Sequence, residues 1–232
     1  MRLERRHARS ATRVIPFGDP DSLPVRMPGQ PSGSAPTECR VDFEIADASV
    51  AIEELPEPIY VHSLSKSEIS SLENESSGHL REAVGLTLVL AGAVQTHMGE
   101  AQAQSGASCA VVESVRILPM KEVTVYVARE YTVGSCNFDA VRRHEDEHVA
   151  IARRLVSEYR PRLLRAVTGL RLQSPGFATQ AIEENASTRM IASEVLSAVQ
   201  GVIDELQQAM RDANRLLDQR DTGKTLSKCS SW

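Results

Sequence analysis

The sequence changes character at Gly134, and this change strongly limits what the chain can fold into. Residues 137–168 contain no glycine and a single proline, Pro161, and residues 177–217 again place apolar side chains at helical spacing. From Cys39 to Tyr131 the pattern instead favours strands, with apolar and polar residues alternating at a period of two at 41–45 and 123–127. The sequence therefore predicts an α+β fold in which a small, mostly antiparallel sheet is followed by a two-helix hairpin.

The strand-rich half contains five predicted strands and one short predicted helix. The helix covers residues 65–75, and the strands fall at 41–45, 58–62, 86–90, 111–118 and 123–127. The longest apolar run, 83–94, is shorter than the ~20 residues that a membrane-spanning helix needs. It favours a buried strand, although the Ala-Gln-Ala at 101–103 leaves an internal signal sequence as the alternative. No transmembrane segment is expected.

Residues 1–38 are predicted to be a disordered N-terminal extension ahead of a domain at 39–232. Six of the 11 prolines fall in this segment among glycines and serines, and no apolar periodicity is present. Five arginines in the first 14 residues would suit the start of a signal peptide, but no apolar segment follows them. A cytoplasmic location is therefore one alternative, and a translation start further downstream is another.

An HExxH motif, His144-Glu145-Asp146-Glu147-His148, lies in the first helix of the predicted hairpin. Residues four apart share a helix face with Cβ atoms about 5–6 Å apart, so both imidazoles can bind one Zn²⁺ at ~2.0–2.1 Å. Glu145 lies beside them and can act as the general base on a zinc-activated water. The alternative is a salt-bridged surface helix, because four arginines (142, 143, 153 and 154) flank the acidic residues.

The residues around this motif also resemble those of a known family. The segment 126–131 (Tyr-Val-Ala-Arg-Glu-Tyr), then Gly134-Ser135-Cys136 and Ala140-Val141 ahead of the HExxH, is similar to a bacterial family of predicted secreted zinc-dependent proteases, an HExxH-containing domain of unknown function. The likeness covers roughly 39–232 and is specific over 123–155. It implies a periplasmic or secreted, zincin-like metallopeptidase with one catalytic zinc, which acts on peptide or protein substrates. His144 and His148 then correspond to metal ligands and Glu145 to the base.

The third zinc ligand stays open. No histidine follows His148, so a downstream ligand must be a carboxylate. An antiparallel hairpin with equal arms would place residues 194–200 opposite His148, whereas a break at Pro161 would shorten the first arm. The family's C-terminal segment suggests an aspartate near 217–222, although this chain lacks the histidine often found there. The candidates are Glu194, Glu183, Glu184, Asp218 and Asp221. The upstream His62 and His97 are expected to be surface residues.

Two features could serve substrate binding. The strand Val123–Arg129 precedes the motif helix and could pair with an extended peptide through main-chain hydrogen bonds, or it could be an ordinary sheet strand. Tyr131 or Tyr159 could supply a hydroxyl to a developing oxyanion, or either could be a packing residue.

The four cysteines, Cys39, Cys109, Cys136 and Cys229, include no C-x-x-C pair. In an exported protein they predict two disulfides with three connectivities, including a bridge from Cys136 to a distant strand or to the C-terminus. In a cytoplasmic protein they would be four reduced thiols.

Charge and periodicity limit the partners. A net charge of −5 and only 4% aromatic residues argue against nucleic-acid binding. Apolar residues at 195, 199, 202, 206, 209, 213 and 216 predict a packing seam, either against the first helix or in a homodimer through the 195–216 helix. The alternative to an enzyme is thus a non-catalytic zinc-binding or helix-mediated interaction module.

Overall fold

The computed structural model confirms the α+β class. It describes residues 4–5, 11–16, 41–44, 49–77, 83–102, 108–174, 181–221 and Cys229. Two compact units divide the chain: residues 1–53, 91–119 and 159–204 form the first, and residues 54–90, 120–158 and 205–232 form the second. The HExxH motif lies in the second unit.

Eight strands and three helices make up the described fold. The strands are β1 (Glu4–Arg5), β2 (Ala11–Pro16), β3 (Val41–Glu44), β4 (Val50–Ile52), β5 (Ile59–Val61), β6 (Gly85–Gln102), β7 (Ser108–Val127) and β8 (Arg171–Ser174). The helices are α1 (Lys66–Ser77), α2 (Cys136–Val167) and α3 (Ala181–Asp221). The predicted helices and the strands predicted at 41–45, 58–62 and 86–90 overlap observed elements, and the apolar run at 83–94 lies mostly in β6, as the strand interpretation expected. The strands predicted at 111–118 and 123–127 are instead parts of the single strand β7.

The prediction of a mostly antiparallel sheet is wrong at β7, where the pairing is parallel. In the first unit β4 runs parallel to β7, with Val50 opposite Val115, and in the second unit β5 does so, with Ile59 opposite Thr124. Antiparallel pairing is found for β1 and β2 with β6, and for β3 with β8. α1 and β6 separate β5 from β7 in sequence, and such a long connection permits a parallel crossover.

The predicted N-terminal extension contains two of these strands. β1 and β2 fall within 1–38 and pair with β6. The rest of 1–38 lies outside the described residues, so the domain boundary at 38/39 stays a prediction.

A hydrophobic cluster in the second unit holds the start of α2. Val127 and Ala128, at the end of β7, pack with Ile69 of α1 and with Phe138 and Val141 of α2. The turn between β7 and α2 includes Gly134, whose φ of 80° lies in the left-handed region that favours glycine. The N-cap is Ser135, whose Oγ accepts a hydrogen bond from the Phe138 N–H at 3.2 Å. The motif helix is thus fixed to the sheet one turn before its first histidine.

The apolar seam of α3 follows a register different from the predicted one. Val195, Val199 and Leu206 are buried as expected, but Leu216 is 61% exposed. The buried positions further along are Ile203, Met210 and Leu217, each one residue beyond a predicted seam position. Positions 202, 209 and 216 form one apolar stripe along α3, and positions 203, 210 and 217 form an adjacent stripe with the same spacing. The sequence pattern fits either stripe, and in the structure the second one is buried. Since the seam is covered within one chain, packing against this chain is favoured, and a homodimer stays a prediction.

Candidate metal centre

The two motif histidines converge as the helical spacing requires. On α2 the Nε2 atoms of His144 and His148 are 3.2 Å apart, and their rings meet edge to face with centroids 4.8 Å apart. Their side chains are 18% and 11% exposed, so both are shielded from bulk water. With Glu145, they place potential ligand atoms within 4.8 Å of one another. The surface-helix alternative is therefore not what the structure shows for these two imidazoles.

Asp218 of α3 brings a third donor to the same point. Its Oδ1 lies 3.3 Å from the Nε2 of His144 and 3.1 Å from the Nε2 of His148. Tetrahedral coordination with bonds of ~2.0–2.1 Å spaces ligand atoms about 3.3–3.4 Å apart. The three donor atoms thus form a nearly equilateral triangle of the size that one Zn²⁺ requires. The donor set, two imidazoles and one carboxylate, also suits zinc.

The other candidates for the third ligand are not brought to this point by the described structure. Glu194 is an exposed residue of α3 in the first compact unit. The side chains of Glu183 and Glu184 and that of Asp221 lie outside the description. Because α2 continues through Pro161, the shortened arm that favoured Glu183 and Glu184 does not form.

The equal-arm prediction fails for a physical reason. It assumed a tight connector between the helices, whereas residues 171–174 of the connector form β8 and pair with β3. In the structure Asn214 and Asp218, rather than residues near 194, lie beside His148, so the two helical arms are not equal.

The two upstream histidines have structural contacts. The His62 Nε2–H donates to the carbonyl oxygens of Tyr131 and Ala128 at 2.9 and 3.2 Å and thus holds the turn before α2. It is therefore part-buried rather than on the surface. His97 pairs with Glu113 at 3.6 Å in the first unit.

Glu145 lies beside the triangle and is held from the sheet side. Its side chain is buried, and its Oε2 accepts a hydrogen bond of 2.8 Å from the Thr87 hydroxyl. Burial raises the pKa of the Glu145 carboxyl, and the positive charge of His148 and the Thr87 hydrogen bond only partly offset this. Glu145 is thus a buried carboxylate next to two imidazoles, and the three side chains together could hold a metal ion.

Hydrogen bonds from outside the triangle orient its members. The Nδ1–H of His148 donates to Oδ1 of Asn214 at 3.1 Å, which directs Nε2 toward the other donors. Burial alone would lower the pKa of His148, but its hydrogen bond with Asp218 and the charge of Glu145 raise it on balance. Burial alone would raise the pKa of Asp218, but hydrogen bonds from both histidines hold it well below its usual range. The two pKa shifts have one cause in common, the hydrogen bond between Asp218 and His148.

Neither predicted tyrosine is placed at the triangle. Tyr131 is buried in the cluster around Phe138, and its hydroxyl has no hydrogen-bond partner among the described residues. Tyr159 carries Arg162 over its ring in the first unit. Tyr60 of β5 instead contacts the motif helix, with its hydroxyl donating to Oδ1 of Asp146 at 2.7 Å. Asp146 lies on the face of α2 away from the two histidines, so this contact fastens the helix rather than serving the triangle.

The strand Val123–Arg129 is an ordinary sheet strand. Residues 124–126 of β7 pair with β5, and β6 is the other hydrogen-bonded neighbour of β7. Its main-chain groups are therefore used within the sheet, and the substrate-pairing interpretation is wrong for this segment.

Two residues of the site escaped the sequence analysis. Asn214 stands four residues before Asp218, so that α3 presents an Asn-x-x-x-Asp pair to the His-x-x-x-His pair of α2. That spacing was visible in the sequence and could have been used. Thr87 gave no signal, because only the tertiary structure brings it to Glu145.

A disulfide closes the site-bearing unit. Cys136, the first residue of α2, is bonded to Cys229 across 93 residues of sequence, and Cys229 is buried. The expected bridge from Cys136 to the C-terminus is confirmed. Cys39 lies outside the described residues.

Removing this bridge should lower stability. In the chain-entropy model, a link across so long a loop restricts the unfolded chain strongly. We expect the double variant Cys136→Ser/Cys229→Ser to lose about 2–5 kcal/mol of unfolding free energy. Urea denaturation with chelator present measures this, since zinc binding then makes no contribution. An unchanged urea midpoint would show that the bridge does not constrain the fold.

Replacing Asn214 should weaken metal binding. Without its acceptor, His148 loses the hydrogen bond that fixes its ring, and such outer partners are typically worth about 10–100-fold in metal affinity. We expect Asn214→Ala to lower zinc affinity by that factor in a chelator-competition titration. Gln208→Ala is the matched control, because among the described residues this exposed amide of α3 is hydrogen-bonded to Asp212 and Arg211 of its own helix. Equal affinities of the two variants would contradict the role of Asn214.

Comparisons of the chain with protein-family models, curated proteins and solved structures found no match. Among the described residues, no helix combines the length and apolarity needed to cross a membrane.

Proposed function

We propose that this protein is a zinc-dependent peptidase. The observation that carries the proposal is the triangle of His144 Nε2, His148 Nε2 and Asp218 Oδ1, with edges of 3.1–3.3 Å, beside the buried carboxylate of Glu145. These three residues would hold the zinc ion. When bound, zinc lowers the pKa of a water molecule toward ~7 and polarises a carbonyl oxygen.

The side chains then divide the work. Glu145 accepts the proton of the attacking water and delivers it to the leaving amine of the peptide. Thr87 holds the Glu145 carboxylate, and Asn214 orients His148. The Asp218 side chain is 46% exposed, so the triangle is accessible from its α3 side.

A sheet edge next to the site suits a peptide substrate. On the side of β6 away from β7, the described partners are the antiparallel strands β1 and β2. They pair only with β6 residues in the range 93–102. Residues 85–90 of β6 run past Glu145, and Leu90 is 41% exposed. We assign the pairing with an extended substrate to this stretch, in place of Val123–Arg129.

The family resemblance and an exported location belong to the same proposal. The disulfide between Cys136 and Cys229 supports a periplasmic or secreted protein, because such bonds persist in oxidising compartments.

Metal content and hydrolysis test the proposal together. We expect purified protein to carry about one equivalent of zinc by mass spectrometry and to cleave members of a peptide library. Removal of zinc with a chelator should stop cleavage, and added zinc should restore it. Bound zinc without cleavage would identify a non-catalytic zinc-binding module, and absence of bound zinc would overturn the metal centre itself.

A further inference from the structure

We propose that Gly85 and Thr87 of β6 form a cradle that fixes the carboxylate of Glu145, with Thr87 acting as a positioning residue for the general base. The catalytic part of this inference rests on the proposed peptidase function. The cradle itself rests on contacts between β6 and α2 and can be tested without activity.

The first contact is the hydroxyl of Thr87. Its Oγ1 lies 2.8 Å from Oε2 of Glu145 and 3.2 Å from the main-chain oxygen of the same residue. Both atoms are acceptors and the hydroxyl has one hydrogen, so the shorter contact, to the carboxylate, is the stronger hydrogen bond. The hydroxyl therefore sits between the carboxylate and the backbone of Glu145 and restricts rotation of the side chain.

The second contact is the close approach of the Glu145 side chain to the backbone of Gly85, which carries no side chain. Residues two apart on a strand face the same side, so Gly85 and Thr87 both face α2. A Cβ on Gly85 would lie 2.6 Å from Oε1 and 3.0 Å from Cγ of Glu145, and 2.5 Å from Cγ1 of Val141. A Cβ at such distances would force the side chains of Val141 and Glu145 to shift, so the glycine at position 85 allows the Glu145 side chain to lie where it does against the strand.

Burial makes the cradle necessary. Glu145 is 5% exposed, and a buried carboxylate without a hydrogen-bond donor is strongly unfavourable. A purely structural position on this face would be filled more favourably by an apolar residue, as at Val141 and Val149. A carboxyl group held by a fixed donor is instead what a general base needs, since catalytic groups act only when held close to their productive geometry.

The kinetic test compares three threonine variants. We expect Thr87→Val to lower kcat about ten- to hundredfold with KM and zinc affinity unchanged, the range of one hydrogen bond to a charged group. Thr87→Ser keeps the hydroxyl and should restore most of kcat. Thr124→Val is the matched control: Thr124 is a buried threonine of β7 whose hydroxyl donates to Glu122. Its kcat should equal that of wild type.

A double-mutant cycle reads the cradle without activity. Thr87→Val should lower the urea midpoint of the metal-free protein, and the same change should have much less effect in a Glu145→Met background, where no carboxylate remains. Thr124→Val should shift the midpoint equally in both backgrounds.

The outcomes separate the two proposals. Equal effects of Thr87→Val in both backgrounds would overturn the cradle. If Thr87→Val lowers the urea midpoint much less in the Glu145→Met background but leaves kcat unchanged, the positioning role would be overturned. If the midpoints show the same coupling but the wild-type protein cleaves no peptide, the cradle would be supported and the peptidase function overturned.

Discussion

Glu145→Gln should reduce peptide hydrolysis by at least about 10²–10⁴-fold, the usual contribution of a general base, while bound zinc stays near one equivalent. The amide has the shape of the carboxylate, and its oxygen can still accept the Thr87 hydrogen bond, so the local packing is kept. It cannot, however, take a proton from water at neutral pH. Steady-state kinetics and zinc content, measured on the same preparation, check both halves of this expectation.

Glu147→Gln is the matched control for that experiment. Glu147 belongs to the same motif, but its carboxylate is 48% exposed and accepts a hydrogen bond of 2.6 Å from Arg220. An exposed ion pair of this kind contributes little to stability, so activity and zinc content should match wild type. Full activity in Glu145→Gln, or loss of its zinc, would contradict the assignment of Glu145 as a base that is not a ligand.

Asp218→Ala should have the largest effect on metal binding. It removes one of three protein ligands, so we expect zinc affinity to fall by more than the about 10–100-fold typical of outer partners. The two histidines remain and retain weak binding, so the loss is one of affinity rather than of the fold. A competition titration against a zinc chelator of known affinity measures the change.

Glu194→Gln is the control that separates the two sequence-based alternatives. The equal-arm argument favoured Glu194, whereas the structure places Asp218 at 3.1–3.3 Å from both imidazoles. The affinity of Glu194→Gln should therefore equal that of wild type. The reverse result, with Asp218→Ala unaffected and Glu194→Gln impaired, would refute the proposed ligand set.

Local sequence signals were sufficient for the helices and for the histidine pair. The spacing of His144 and His148 on a glycine-free segment fixes their mutual geometry, because a helix places residues four apart on one face whatever surrounds it. The alternation at 123–127 likewise identified part of β7.

Features that depend on the path of the connections were not predictable in the same way. Asp218 reaches the site through the register between α2 and α3, which the helix patterns alone do not define. The connector between them includes β8, and the pairing of β8 with β3, 127 residues or more upstream in the chain, has no local signal. The parallel pairing of β5 with β7 is non-local for the same reason.

Anomalous diffraction at the zinc edge, from crystals of the full chain grown with zinc, tests the metal centre most directly. The structure predicts one strong peak within about 2.0–2.2 Å of Nε2 of His144, Nε2 of His148 and an oxygen of Asp218, with Glu145 outside bonding distance. A peak that lacks any of these three ligands, a peak bonded to Glu145, or no peak at the HExxH helix would contradict the account.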